Sequence, residues 1–332
     1  MDRIVMEHGS GGRATNDLIN EIFATEFSEV FLGQMEDSAV VDSATRIAVT
    51  TDSFVVTPLE FPGGDIGRLS ICGTVNDLLM RGAIPKYITC GFILQEGLDI
   101  SLLRRIVHSM AETAREAGVQ IIAGDTKVVE GNGGMYINTT GVGFVNPGVD
   151  ISAQRIKSGD SIIVSGNMGD HHATIQSMRM EINNSIESDN APLNVMVQNL
   201  MEQNVGVHAL RDVTRGGLAT VLKELATVSD LCFEIEEKSI PVNPMVQDFC
   251  GLLGLELLYM GNEGKLVAIV APEDEEKALS IIQSAPYGEK AAVIGKVLSA
   301  NEEQHGKLIV KTPIGGRRVM DILEGEGLPR IC

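Results

Sequence analysis

The sequence ends on a cysteine, Cys332, reached through Glu324-Gly325-Glu326-Gly327-Leu328-Pro329-Arg330-Ile331. A thiolate is a good nucleophile and later a tolerable leaving group, so such a residue can carry an acyl-type group. Two glycines and a proline before it argue for a mobile arm that delivers the group to a site elsewhere. Cys72, Cys90, Cys232 and Cys250 sit among apolar neighbours and form no CxxC pair, which reads as core packing rather than a disulfide framework or a zinc site. Four aspartates could make a hard-oxygen site. They are Asp37 in Glu36-Asp37-Ser38-Ala39-Val40, Asp52 at the end of Arg46 to Thr51, Asp77 in Gly73-Thr74-Val75-Asn76-Asp77, and Asp212 in Arg211-Asp212-Val213-Thr214-Arg215-Gly216-Gly217. Mg2+ takes such ligands and keeps waters and substrate phosphates in its shell. Any one of these aspartates alone reads as a cap or turn residue. Asp77 is the exception, inside an apolar helical pattern with no capping reason.

Glycine-rich segments at His8-Gly9-Ser10-Gly11-Gly12 and Gly216-Gly217 precede helices and allow close backbone approach to phosphate oxygens. Neither matches the P-loop pattern. Gly124-Asp125-Thr126-Lys127 joins a turn, an acid, a hydroxyl and an ammonium, and Lys127 could neutralise phosphate charge; a solvated surface turn is the alternative. Glu263, in Gly261-Asn262-Glu263-Gly264-Lys265 after an apolar run, is a candidate general base or merely part of a turn into the next strand. His171 and His172, after Gly169-Asp170, read as polar residues at a helix start, with substrate contacts as the alternative.

Several elements must position these groups. A helix is expected near 14–26, and a strand at 46–51 that stops at Asp52. Helical spacing of Ile66, Leu69, Cys72, Val75 and Leu79 predicts a helix over 66–81. A buried strand follows at 87–94, and an amphipathic helix at 101–117 with Ser101 as cap and Gly118 as stop. A short strand, 119–123, leads into Gly124, and another lies near 135–145. Asn146-Pro147-Gly148 and Ser158-Gly159-Asp160 mark a boundary around 146–160. Beyond it come a strand at 161–165, helices near 193–204 and 217–228, and strands near 232–236, 265–270 and 291–297. The chain thus divides into an N-terminal domain, 1–150, a C-terminal α+β domain, 151–312, and a flexible tail, 313–332.

The length of 332 residues suits about two domains at roughly 100–200 residues each. The formal net charge of −19 repels nucleic-acid phosphates and anionic membranes and argues against both as partners. It leaves ATP open, since a bound cation can reverse the sign of a site locally. No apolar run approaches the roughly 20 residues of a membrane span and no signal peptide is visible, so a cytoplasmic protein is expected.

Taken in order, His8 to Gly12, Asp37-Ser38-Ala39-Val40, Thr50 to Ser53, Phe61-Pro62-Gly63-Gly64-Asp65-Ile66-Gly67, Gly73 to Asp77, Ala123 to Val128, Arg211 to Gly217, Gly261 to Lys265 and the ending Pro329-Arg330-Ile331-Cys332 resemble the HypE family of nickel–iron hydrogenase maturation proteins. That family lies within the aminoimidazole ribonucleotide synthetase superfamily. The resemblance covers essentially the whole chain, and its ending is the most specific part. It implies a two-domain α/β fold, a homodimer whose N-terminal domains form a β-barrel, and an ATP cleft beside it. It also implies an activity: a HypF carbamoyl transferase loads the terminal thiol, the chain uses ATP to dehydrate the carbamoyl group to a thiocyanate, and a HypC–HypD complex accepts the cyanide. By the same resemblance Asp37, Asp52, Asp77 and Asp212 are Mg2+ ligands, Asn76, Thr126 and Lys127 contact phosphate, and the His8–Gly12 loop covers the triphosphate. Cys332, Glu263 and Lys127 are expected to act in the chemistry, with Glu263 taking an amide proton. Two rivals remain at this point. A selenophosphate synthetase would need a reactive Cys or selenocysteine near the N-terminus, where this chain has none. A nucleotide-gated carrier would leave the chemistry to a partner.

Overall fold

The computed structural model describes residues 3–9, 17–29, 45–300 and 304–323. Strands β1 (Ile47–Phe54), β6 (Met135–Val145), β4 (Ala83–Gln95) and β5 (Gln120–Val129) make a four-stranded sheet in that order. A short hairpin, β2 (Glu60–Phe61) and β3 (Gly64–Asp65), lies apart from it. A seven-stranded sheet follows. Its order is β13 (Arg317–Met320), β12 (Leu308–Lys311), β9 (Cys232–Glu236), β11 (Ala292–Leu298), β7 (Ser161–Val164), β10 (Leu266–Val270) and β8 (Val207–Asp212). Seven helices are used below or pack on these sheets: α1 (Ile66–Leu79), α2 (Ile100–Ala117), α3 (Asp170–Arg179), α4 (Asn194–Glu202), α5 (Gly217–Ser229), α6 (Pro244–Leu253) and α7 (Glu275–Ser284).

Helix α1 carries apolar or small residues nearly all round, and a helix of that kind must be covered on every side. It lies on β1, β4 and β6, packs against α2, and touches β8 and α4. Its C-terminal turn, with Asn76 and Asp77, is thereby held between the two sheets. The packing is continuous across this region, since Ile66, Leu79 and Ile88 share one apolar cluster with Ile163, Leu200 and Leu266. Helix α2 has a one-sided apolar stripe, with Leu103, Ile106, Val107, Met110 and Ala114 buried. Gly118 stops it in the left-handed conformation (φ 67°), as expected, but Asp99 rather than Ser101 caps its start, accepting the Ser101 N–H.

Three expectations need correction. Strand β1 does not stop at Asp52. Its alternation runs on to Phe54, which is buried under Gly73 of α1, where a Cβ would come within 2.9 Å of the ring. Gly124 to Lys127 is not a turn but part of β5, paired parallel with β4. Glycine suits position 124 because a Cβ there would sit 3.0 Å from the Cys90 carbonyl oxygen. Residues 313–320 do not belong to a tail: Thr312 Oγ1 accepts the Gly316 N–H at 2.9 Å and β13 returns along β12 as a hairpin. Among the described residues no helix is long and apolar enough to cross a membrane.

Candidate active site

Asp52, Asp77, Asp212 and Glu263 line one cavity of about 310 Å³, together with Thr51, Arg211 and Arg215. The alternation of β1 turns Thr50, Asp52 and Phe54 toward α1. Asp77 projects from α1 and accepts a hydrogen bond from Thr50 Oγ1 at 2.7 Å. Asp52 accepts the Ser53 N–H at 2.8 Å and lies 3.8 Å from Arg215. Asp212 ends β8, where it pairs with Leu266 of β10. Glu263 stands three residues before β10 begins at Leu266, in a buried loop. The loop can lie there because Gly264 has no Cβ; one would collide with the Asp189 carbonyl.

The four carboxyls share one electrostatic condition. Burial raises the pKa of each, and repulsion by neighbouring carboxylates raises those of Asp77, Asp212 and Glu263 further. Asp212 is pushed up to about 6 by burial and by Asp77 and Asp52. Burial dominates for Asp52, against the Ser53 N–H and Arg215, and for Asp77, where Thr50 opposes it and Asp52 reinforces it. Glu263 is raised well above the ordinary range by burial, then by Asp212, Asp189 and Asp52, and its Oε1 has no hydrogen-bond partner. Such a constellation accumulates negative charge with two arginines to offset it, which is how a site prepared for a cation looks. Among the described residues no three His, Cys, Asp or Glu side chains converge tightly enough to hold a metal alone.

Other expected residues fall elsewhere. Asn76 is buried with both amide atoms taken by backbone: Oδ1 accepts the Leu193 N–H at 3.0 Å, and Nδ2 donates to Ala191 O at 3.0 Å and Glu263 O at 3.5 Å. It ties the 191–193 segment to the Glu263 loop instead of facing a phosphate. His8 sits in a short helical turn, Met6–Gly9, and its Nδ1 accepts the Val5 N–H at 3.0 Å, so its ring acts as a local cap. Lys127 pairs in register with Ile93, which pairs with Tyr136, and registered neighbours share a face. Ile93 and Tyr136 are exposed, on the face opposite to that of Asp52, Thr139 and Cys90. Lys127 therefore points away from the carboxylate cavity of its own chain and pairs with Asp125 at 2.7 Å. Thr126 pairs with Phe92 on the inner face but on the far edge strand, three strand spacings or roughly 14 Å from β1. Ser10, Gly11, Gly12, Asp37 and Cys332 lie outside the described residues. The other four cysteines are buried, and burial pushes their thiols up, Cys90 to about 12. The sequence reading missed Arg211 and Arg215 as cavity residues, although their motif had been singled out. It gave no role to Asp189 or Asn190, which carry no local signal.

Family models for AIR synthase related proteins match residues 35–145 (N-terminal domain) and 157–311 (C-terminal domain). The carbamoyl dehydratase HypE of Rhodobacter capsulatus is 43% identical over 339 residues, covering 100% of this chain and 98% of that one. The chain belongs to the HypE family. A solved HypE structure in complex with ATP superposes with a TM-score of 0.95 at 46% identity, over 99% of each chain. HypE in a HypE–HypF complex superposes with a TM-score of 0.80 at 41% identity, over 94% of this chain and 100% of that one. These likenesses bear out the mixed α/β, two-domain fold expected from the resemblance. HypE membership also removes the selenophosphate synthetase rival.

Proposed function

We propose that this chain is an ATP-dependent carbamoyl dehydratase of hydrogenase maturation. It converts an S-carbamoyl group on Cys332 to an S-cyanate, with ATP going to ADP and phosphate. One observation carries the reading: a buried Glu263, whose Oε1 has no hydrogen-bond partner, stands in the same cavity as Asp52, Asp77 and Asp212. That brings a proton-handling group against a triphosphate-and-cation site. HypE in complex with ATP, at 46% identity, supports ATP as the co-substrate.

The carbamoyl oxygen is a poor leaving group. Its attack on the γ-phosphorus forms a C–O–P bond and releases ADP. Loss of the two N–H protons and departure of phosphate then leave C≡N on sulfur. Transfer of this kind is mostly positioning and charge neutralisation. Mg2+ held by Asp52, Asp77 and Asp212, with Asp37 as a fourth candidate, would supply that neutralisation. Glu263 takes an amide proton, and Asn76 holds its loop in place through the Glu263 carbonyl. Arg211 and Arg215 offset part of the cavity's negative charge and offer phosphate contacts. The His8–Gly12 loop remains the candidate cover of the triphosphate.

Lys127 and Thr126 require a second copy of the chain. The outer face of the first sheet exposes Ile47, Val49, Ile93, Val129 and Tyr136, and Lys127 shares that face. A row of large apolar side chains there supports a homodimer in which two such sheets meet and close a barrel. Lys127 of one copy would then serve the nucleotide held by the other. A HypF-type transferase is the partner proposed to load Cys332, in keeping with the HypE–HypF complex, and a HypC–HypD complex the acceptor of cyanide. The protein carbamoylated on Cys332, incubated alone with Mg-ATP, should lose one water from its C-terminal peptide by mass spectrometry while ADP appears. An unchanged adduct in the presence of bound ATP would make the chain a passive carrier instead.

A further inference from the structure

Glu263 is held by an acid to which the chemistry above gives no part. The loop that carries Glu263 leaves the sheet as a bulge. Val213, just past β8, accepts the Asn262 N–H at 2.8 Å, and its own N–H donates to Lys265 O at 3.0 Å. In a regular antiparallel pair both bonds go to one residue. Here they go to residues three apart, so Glu263 and Gly264 are extruded from the ladder between β8 and β10. Asn262 fixes the foot of the bulge. Its Oδ1 accepts the Gly169 N–H at 2.7 Å, and its Nδ2 donates to Val213 O and Met260 O, each at 3.2 Å. Extrusion takes the Glu263 peptide groups out of the ladder, and a buried N–H then needs another partner. Asp189 supplies it. Its Oδ1 accepts the Glu263 N–H at 3.0 Å, while Asn76 Nδ2 donates to Glu263 O at 3.5 Å.

Asp189 is itself firmly mounted. Segment 188–193 has no regular secondary structure, yet side chains and backbone of the N-terminal domain pin it along its length. The Ser188 N–H donates to Pro62 O at 2.9 Å. Arg68, paired with Glu116 at 2.8 Å, donates to Asn190 O at 3.0 Å. Asn76 takes Ala191 O and the Leu193 N–H, each at 3.0 Å. From the other domain, His171 Nδ1 bonds Ser188 Oγ at 2.7 Å. Gly264 lets the segment pass, since a Cβ there would come within 2.7 Å of Ala191 N. Asn76 is the neighbour of Asp77 on α1, so one frame places both Glu263 and a carboxylate of the candidate cation site. An asparagine could satisfy the Glu263 N–H. The acid makes the stronger, charge-assisted bond and leaves its Oδ2 buried without a hydrogen-bond partner. Burying that oxygen unpaired works against the fold, which marks Asp189 as a residue kept for the site.

We propose that Asp189 is a positioning residue for the dehydration: by holding the Glu263 N–H it fixes the peptide plane from which the Glu263 carboxyl meets the amide proton. The proposal rests on the dehydratase reading, with Glu263 as the base. A shift of roughly 1 Å in a reacting group can cost on the order of 10²-fold in rate, so a lost tether should be visible in the chemical step. Full-length protein carrying the carbamoyl adduct is mixed with saturating Mg-ATP, and conversion is followed by mass spectrometry in a single turnover. ATP affinity is measured in parallel. Asp189→Ala should slow conversion at least about tenfold and leave ATP affinity unchanged. Asp189→Leu keeps the bulk of the side chain without an acceptor. It should behave alike, and it replaces the alanine variant if that protein does not fold. Asp189→Asn, whose Oδ1 can still accept the Glu263 N–H, should recover most of the rate. In a Glu263→Gln background, Asp189→Ala should slow the residual conversion by less than about twofold, because a residue acting through Glu263 has no base left to place. Conversion at the wild-type rate by Asp189→Ala or Asp189→Leu overturns the proposal. So does a loss of ATP affinity that matches the loss of rate, an asparagine variant as slow as the alanine one, or a double variant that shows the product of the single effects. If wild type itself converts nothing, the dehydratase reading fails and the proposal with it.

Discussion

Glu263 and Asp212 make opposite demands on stability and function. Glu263→Gln keeps the shape of the side chain and removes its ability to accept a proton. It should cut single-turnover dehydration by about 10²-fold or more, the usual worth of a positioned base, while loading of Cys332 and ATP binding persist. Adduct mass and ADP release, measured together, check this; a variant that still forms thiocyanate at the wild-type rate would move the base elsewhere. Asp212 has a folded-state pKa of about 6, raised by burial and by Asp77 and Asp52, against an ordinary value near 3.9. The folded state therefore holds this proton more tightly than the unfolded state does. The resulting penalty is full above pH ~6, shrinks as the pH falls toward 4, and is absent below the unfolded pKa. Asp212→Asn should accordingly melt several degrees higher than wild type at pH 8 and at the same temperature at pH 4. Adding Mg-ATP at pH 8 should raise the wild-type melting temperature far more than that of the variant. Equal melting temperatures at pH 8 without nucleotide would contradict the assigned burial.

At the scale of elements, the sheet strands and helices with strong periodicity were legible, and the exceptions share a cause. Strand 135–145 and helix α2 follow from alternation and from a one-sided apolar stripe, signals that a local window contains. β5 was cut short because Gly124 looks like a turn residue; the reason for glycine there is the Cys90 carbonyl on a neighbouring strand, which no window shows. The β12–β13 hairpin looks like tail in the sequence because Pro313 and two glycines form its turn. The carboxylate set was legible as a list, and the placement of Asp52, Asp77, Asp212 and Glu263 in one cavity follows from α1 lying between two sheets. The facing of Lys127 was not, since it depends on strand parity set by β4. Gly217 shows how tightly these junctions are fitted. Its φ is +64°, and a Cβ would come within 2.7 Å of the backbone of Leu258, Tyr259 and Met260. Gly217→Ala should therefore cost more than the 1–2 kcal/mol of the left-handed conformation alone and lower the urea midpoint clearly. An unchanged midpoint would mean that the 258–260 segment yields easily.

At the scale of the whole molecule, the placement of Lys127 on the face opposite Asp52 decides what a functional unit must be. If Lys127 acts on the nucleotide, it acts on the nucleotide of another copy, and one chain alone is an incomplete enzyme. Val49, 59% exposed near the centre of β1 on the same outer face, tests the surface: Val49→Asp should shift the protein to monomer in sedimentation and remove turnover without unfolding it. A stronger test uses complementation. Lys127→Ala and Glu263→Gln homodimers should each be inactive for dehydration. Mixed and allowed to exchange, half of the dimers become mixed, and each mixed dimer has one of its two sites intact, with Glu263 from the Lys127→Ala chain and Lys127 from the Glu263→Gln chain. Activity should return to about a quarter of wild type, and the thiocyanate should appear only on Cys332 of the Lys127→Ala chain, which a mass tag distinguishes. Thiocyanate on the Glu263→Gln chain, or no activity after exchange has been verified, would place Lys127 and Glu263 in some other relation than a site shared between two subunits.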